Sequence, residues 1–118
     1  MLALVAVLLV SCTKTITVPE TNAVLTFKYG DCDVVVELSA EESETIRNIF
    51  NNKRSYQDNP SCGFTENVSV RFDDSVFCVA RDNCSTIKYQ GRYFSISDDE
   101  RETINNIFEK RGGSFPCE

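Results

Sequence analysis

Apolar residues recur at every second position along most of this chain, and twice the spacing changes to that of a helix. Leu25, Phe27 and Tyr29 alternate with Thr26 and Lys28, and Val34, Val36 and Leu38 resume the alternation beyond Gly30-Asp31. A period of two places one side of a strand in a core, and a Gly-Asp pair between two such runs predicts a hairpin. Further strands are predicted over Val68–Phe72 and Ser75–Arg81, turning at Asp73-Asp74, and a last hairpin joins Thr86–Gln90 to Arg92–Ser97 around Gly91. Spacing of i, i+3, i+4 appears at Ile46-Ile49-Phe50 and again at Ile104-Ile107-Phe108. Stripes this narrow belong to helices that lie on a surface and bury one edge.

The two helical stretches are copies of one another. Ser39–Phe50 and Ser97–Phe108 lie 58 positions apart and share eight of twelve residues. The likeness runs back through Phe27-Lys28-Tyr29-Gly30 and Ile87-Lys88-Tyr89-Gln90-Gly91. Both open with a capping box, Ser39 with Glu42 and Ser97 with Glu100, and both have an acidic first turn. Lys53-Arg54 and Lys110-Arg111 follow at the far ends, where cations complement the helix dipole, and Gly112-Gly113 offers the second helix a stop. The expected fold is α+β: an antiparallel sheet with two helices packed on one face, in the order ββα-ββββα. It is an imperfect tandem of hairpin–helix units, with halves at about 23–54 and 66–112. The stretch from Ser55 to Thr65 is the longest without a pattern.

The first ten residues are unbroken apolar. That is too few to cross a bilayer core, which takes about 20 in a helix, but it suits the core of an export signal. Leu9-Val10-Ser11-Cys12 closes the run, and this motif resembles the lipobox of bacterial lipoproteins. The resemblance implies cleavage before Cys12, a diacylglycerol on its thiol and a further acyl chain such as palmitate on its new amino group. Residues 1–11 are then a signal peptide, 12–22 a lipid-anchored polar tether, and 23–118 a single domain. No Lys or Arg precedes Lys14, so the expected basic leader would lie upstream of Met1. A cut after Cys12 with no anchor, or a buried first strand, are the other readings of this segment.

Charge and cysteine content narrow the partners. The net charge of −6 disfavours nucleic acid, whose phosphates call for clustered Lys and Arg, and disfavours a peripheral helix on anionic lipid. Cys12, Cys32, Cys62, Cys78, Cys84 and Cys117 read as disulfides outside the cytoplasm. Acylation of Cys12 leaves five, and of the possible pairings we expect Cys78–Cys84 and Cys62–Cys117, with Cys32 as the odd thiol. Zinc is disfavoured, because there is no Cys-x-x-Cys and no His. No cofactor is expected.

The available chemistry is sparse. Without His the usual general base and the Ser-His and Cys-His nucleophile pairs are missing. Asp73-Asp74 read as turn residues and Asp98-Asp99-Glu100 as first-turn helix charges. Asp31-Cys32-Asp33 lacks the further oxygens a calcium site needs. Tyr89 and Tyr93, beside the last turn, are a candidate contact patch for a protein partner. The leading expectation is a membrane-anchored, non-catalytic binding protein of the bacterial cell envelope. The alternatives are an inhibitor of a secreted cationic hydrolase, or a small enzyme that uses carboxylates or a thiol.

Overall fold

The computed structural model describes residues 14–29, 32–57, 62–65, 67–80 and 84–111. Eight strands and two helices follow in order. They are β1 (Lys14–Thr15), β2 (Ala23–Tyr29), β3 (Cys32–Glu37), α1 (Ala40–Phe50), β4 (Arg54–Ser55), β5 (Ser69–Phe72), β6 (Ser75–Val79), β7 (Thr86–Tyr89), β8 (Arg92–Ser95) and α2 (Asp98–Lys110). Six of the strands form one antiparallel sheet in the order β3-β2-β5-β6-β7-β8, while β1 and β4 make a two-residue ladder of their own. This is the expected α+β class, with two helices on an antiparallel sheet.

The hairpins follow the turn chemistry of the sequence. Gln90 and Gly91 both have positive φ, at 50° and 73°. Two left-handed residues in a two-residue loop match the right-handed twist of the strands they join. Asp73 takes φ 55° at the turn from β5 to β6, a conformation Asp tolerates better than most residues.

Alternation then decides the packing. Leu25, Phe27, Val70, Phe72, Phe77, Val79, Ile87 and Phe94 all face the helices and join Ile46, Phe50, Ile104 and Phe108 in one core. The rings interlock: Phe50 meets Phe77 at 4.9 Å and Phe94 at 5.5 Å, while Phe108 meets Phe27 at 6.0 Å. So α1 starts against β2, where Ser43 meets Ala23, and ends over the far strands at Phe50, while the end of α2 packs back over β2 at Phe108. Both capping boxes form as the sequence predicts, with Ser39 and Ser97 each accepting from the N–H three residues on.

Lys53 and Arg111 are used differently from the expectation. Helix α1 ends at Phe50, and Asn52 turns the chain with φ 67°. Lys53 therefore lies beyond its own helix and reaches Glu100 at the start of α2, at 2.9 Å. In return Arg111 pairs with Glu42 at the start of α1. The chain just past each helix meets the first turn of the other, so the two run antiparallel. These cations clasp two helices together instead of complementing one.

The expected tether does not hold for its described part, residues 14–22. Ile16 and Val18 are 4% exposed and belong to the core. Ile16 exchanges hydrogen bonds with Lys53 and Asn52 at 2.8 and 2.9 Å, and the Val18 N–H donates to the Asn51 side chain. Two apolar residues at alternate positions in a Thr-rich stretch form too short a pattern to signal a strand, yet the chain just past α1 offers backbone partners for Ile16 and a side-chain acceptor for Val18. Residues 1–13, including Cys12, lie outside the described residues, as do Gly112-Gly113.

Candidate functional site

The helix-free face of the sheet is built around one cross-strand row. Register places Ser69 beside Cys78, Cys78 beside Lys88, and Lys88 beside Tyr93. Side chains on one face of a sheet follow such a row, so these four lie opposite the helices. The segment that precedes β5 covers part of the row. Tyr56 exchanges backbone hydrogen bonds with Tyr93 at 2.8 and 2.9 Å, and the rings of Tyr56 and Phe64 lie 6.3 and 5.6 Å from that of Tyr93.

A disulfide fixes that cover. Cys62 is bonded to Cys84, with Cα atoms 6.1 Å apart. This corrects both expected bridges, Cys78–Cys84 and Cys62–Cys117, since each needs a cysteine already used. The reason is tertiary. Cys78 and Cys84 are close in sequence, but Cys78 is buried within β6 beside Lys88. Cys84 lies past the strand, where the folded-back segment delivers Cys62. Cys117 lies outside the described residues, and of the expected odd thiol, Cys32, the backbone opens edge strand β3.

Between the strapped segment and the uncovered strands lies a cavity of about 450 Å³, lined by Phe64, Thr65, Asp74, Val76, Cys78, Lys88 and Gln90. Asp74, Val76 and Cys78 are alternate residues running into β6, so they share a face, and Lys88 projects beside them from β7. The floor is apolar and the rim carries one cation and one anion. Neither Lys88 nor Asp74 has an ion-pair partner among the described residues. Such a cavity suits a small amphipathic molecule, gripped by shape and oriented by charge. Among the described residues no group of three or more His, Cys, Asp or Glu is placed to hold a metal.

Tyr89 and Tyr93 do not form a shared contact patch. They are four residues apart across a two-residue turn, which places them on opposite faces. Tyr89 stacks on Phe77 at 4.4 Å on the helix side and meets Ser75 through its hydroxyl. Tyr93 is only 7% exposed, beneath Phe64 and Tyr56. Both are packing residues. The cavity residues Phe64, Thr65, Lys88 and Gln90 carried no sequence signal beyond strand alternation, because the wall they meet comes from a patternless segment.

The carboxylates with displaced pKa values sit at the helix ends, away from this cavity. Burial pushes Glu42 up, but hydrogen bonds from Arg111 and Ser39 outweigh it and hold the carboxyl below its ordinary value. Glu100 behaves alike, with burial opposed by Ser97 and Lys53. Both groups act in capping and helix pairing, which accounts for their ionised state without a catalytic role. No helix among the described residues is long and apolar enough to cross a membrane. No family model, curated protein or solved structure matches the chain.

Proposed function

We propose that this chain is a small bacterial lipoprotein, anchored outside the cytoplasm through Cys12, that binds a ligand or partner in the cell envelope without catalysis. The observation that carries the reading is the Cys62–Cys84 bridge downstream of the lipobox-like Leu9–Cys12. Disulfides persist in oxidising compartments, and an apolar leader ending in Cys is one route there. The absence of His from the whole chain supports a binding role over catalysis. The cavity strapped by the bridge is the place we assign to the ligand.

Only Thr13 separates Cys12 from β1. An acylated Cys12 therefore holds the fold against the bilayer instead of trailing it on a spacer. Two or three acyl chains make such an anchor stable, at about 0.8 kcal/mol per buried CH₂.

The inhibitor reading gains less support. Steering toward a cationic enzyme works best when acidic groups are gathered on one surface. Here Glu41 and Glu42 begin one helix and Asp98, Asp99 and Glu100 begin the other, at opposite ends of an antiparallel pair. Each end also holds cations of the partner helix.

Intact mass of the native membrane-extracted protein, before and after reduction, tests the reading. Expected are a chain starting at Cys12, the added mass of diacylglycerol and acyl groups, and at least one bridge. A soluble, uncleaved and fully reduced product overturns it.

A further inference from the structure

The two edges of the main sheet are finished differently. One cross-strand row runs Val35, Thr26, Ser69, Cys78, Lys88, Tyr93, so Val35 on β3 and Tyr93 on β8 end the same row from opposite edges. These two residues are 58 positions apart, the offset that also relates Glu42 to Glu100 and Lys53 to Arg111. At the β8 edge the chain leaving α1 passes Lys53, which clasps Glu100, and at Tyr56 exchanges two backbone hydrogen bonds with Tyr93. Tyr93 is 7% exposed there, whereas Val35 is 63% exposed, and among the described residues no strand lies beyond β3. Bonded pairs alternate along an antiparallel ladder, and the Leu38 N–H donates to the Ala23 carbonyl. Val36 and Val34 therefore bond to β2, and Val35 turns its N–H and C=O toward the outer edge.

We propose that the C-terminal segment 112–117 closes the β3 edge as residues 54–56 close that of β8, and that a Cys32–Cys117 disulfide holds it there. Arg111 clasps Glu42 as Lys53 clasps Glu100, so the chain leaves α2 near the Glu37 end of β3. The offset of 58 carries Tyr56 to Ser114, which sets Ser114 opposite Val35 in an antiparallel pair. That register puts Phe115 opposite Val34, a partly buried neighbour of the core, and Cys117 opposite Cys32. With Val35 and Ser114 a bonded pair, Cys32 and Cys117 fall on a non-bonded one, where Cα atoms lie about 4.5 Å apart and within disulfide range. Two independent counts thus agree, one from the clasps and the Tyr56–Tyr93 bridge, the other from where the cysteines stand. Reach agrees as well: Arg111 to Cys117 spans about 20 Å extended, and Glu37 to Cys32 about 17 Å. Pro116 falls on a bonded position and forfeits one donor, while its carbonyl still accepts from Asp33. The bridge forms by exchange with a disulfide donor of an oxidising compartment: the two thiols give up two protons and two electrons, and the donor leaves as a dithiol. Covered in this way, β3 offers no edge to another copy of the chain.

The test digests the full chain, purified without reductant and alkylated, and maps crosslinked peptides by mass, while backbone amide exchange reads Val35. Expected are a peptide pair joining Cys32 to Cys117 and a Val35 amide that exchanges at least about fivefold faster in Ser114→Pro, the worth of one hydrogen bond. The Phe94 amide, within the β7–β8 hairpin, should be unchanged in that variant. Alkylated Cys32 or Cys117 in a chain whose Cys62–Cys84 bridge is intact overturns the proposal, and so does Val35 exchange indifferent to Ser114→Pro. Val35 protection that rises with protein concentration identifies a second copy at this edge and overturns it too. The same digest reads Cys62–Cys84, so loss of both bridges removes the oxidising compartment along with this proposal, whereas loss of Cys32–Cys117 by itself removes only the proposal.

Discussion

Helices α1 and α2 open with the same capping box and carry the same Ile-x-x-Ile-Phe stripe, but each is tied differently to the chain that enters its hairpin. In the first unit Ser43, 1% exposed, accepts from the N–H of Ala23 at 2.7 Å. At the matching position, 58 residues on, Arg101 donates to the carbonyl of Cys84. The entering chain is otherwise held alike, since Leu38 N–H donates to the Ala23 carbonyl and Ile96 N–H to that of Ser85. By that correspondence the two tethered groups belong to equivalent peptides, one offering its N–H and the other its C=O. An acceptor side chain answers the first and a donor the second. Two units of like sequence have thus satisfied one buried peptide from opposite sides, because one enters from the N-terminal segment and the other from a disulfide-held loop.

The largest expected effects lie in the matched phenylalanines. Phe50→Ala and Phe108→Ala should each cost about 3–5 kcal/mol in urea unfolding, the usual range for emptying a fully buried ring site. Phe50 should sit at the upper end, because it packs on both Phe77 and Phe94. A larger loss at Phe108 would show that the second unit dominates the core.

Removing the bridge with Cys62→Ser and Cys84→Ser should come next, at about 2–4 kcal/mol, given a sequence separation of 22 residues. Amide exchange should speed up in β7 and β8 more than in β2 and β3, since the loop covers only that end. Uniform acceleration would mean the bridge acts on the whole fold alike.

Ser43→Ala should cost about 1–3 kcal/mol, because it strands a buried N–H without an acceptor. Exchange of the Ala23 amide should accelerate with it. An unchanged Ala23 would mean that the first unit does not depend on this tie.

The smallest effect is in acid. Glu42 and Glu100 have lowered folded pKa values, so the stability they contribute is complete above the ordinary Glu value of about 4.3 and drains away as pH falls through the lowered folded values. Arg111→Met should flatten the Glu42 share of that acid slope, and Lys53→Met the Glu100 share. Stability against pH in each variant reads the two clasps separately. A slope unchanged in both variants would remove the clasps from the account.

Much of the fold was legible because its signals are local. Alternation at Leu25-Phe27 and Val34-Val36, the Ser39 and Ser97 caps and the Gln90-Gly91 turn each depend on residues a few positions apart. The candidate sites were not legible, for they depend on what folds over what. Phe64 belongs to a stretch with no period, so its place above Tyr93 could not be read before Tyr56 had paired with β8. Tyr89 and Tyr93 look like one patch in the sequence, yet an even spacing across a two-residue turn separates them onto opposite faces.

By itself the sequence determined the order of the two helices and the six strands of the main sheet, the apolar faces of those elements, and both helix starts, all products of side-chain period and short-range backbone hydrogen bonding; the short strands β1 and β4 it did not show. Only the tertiary structure decided that Cys62 meets Cys84, that Lys53 and Arg111 clasp the opposite helix, and that Ile16 and Val18 are core. Each of those outcomes needs partners brought together from distant positions, and the choice among partners is made by packing, which no stretch of chain carries on its own.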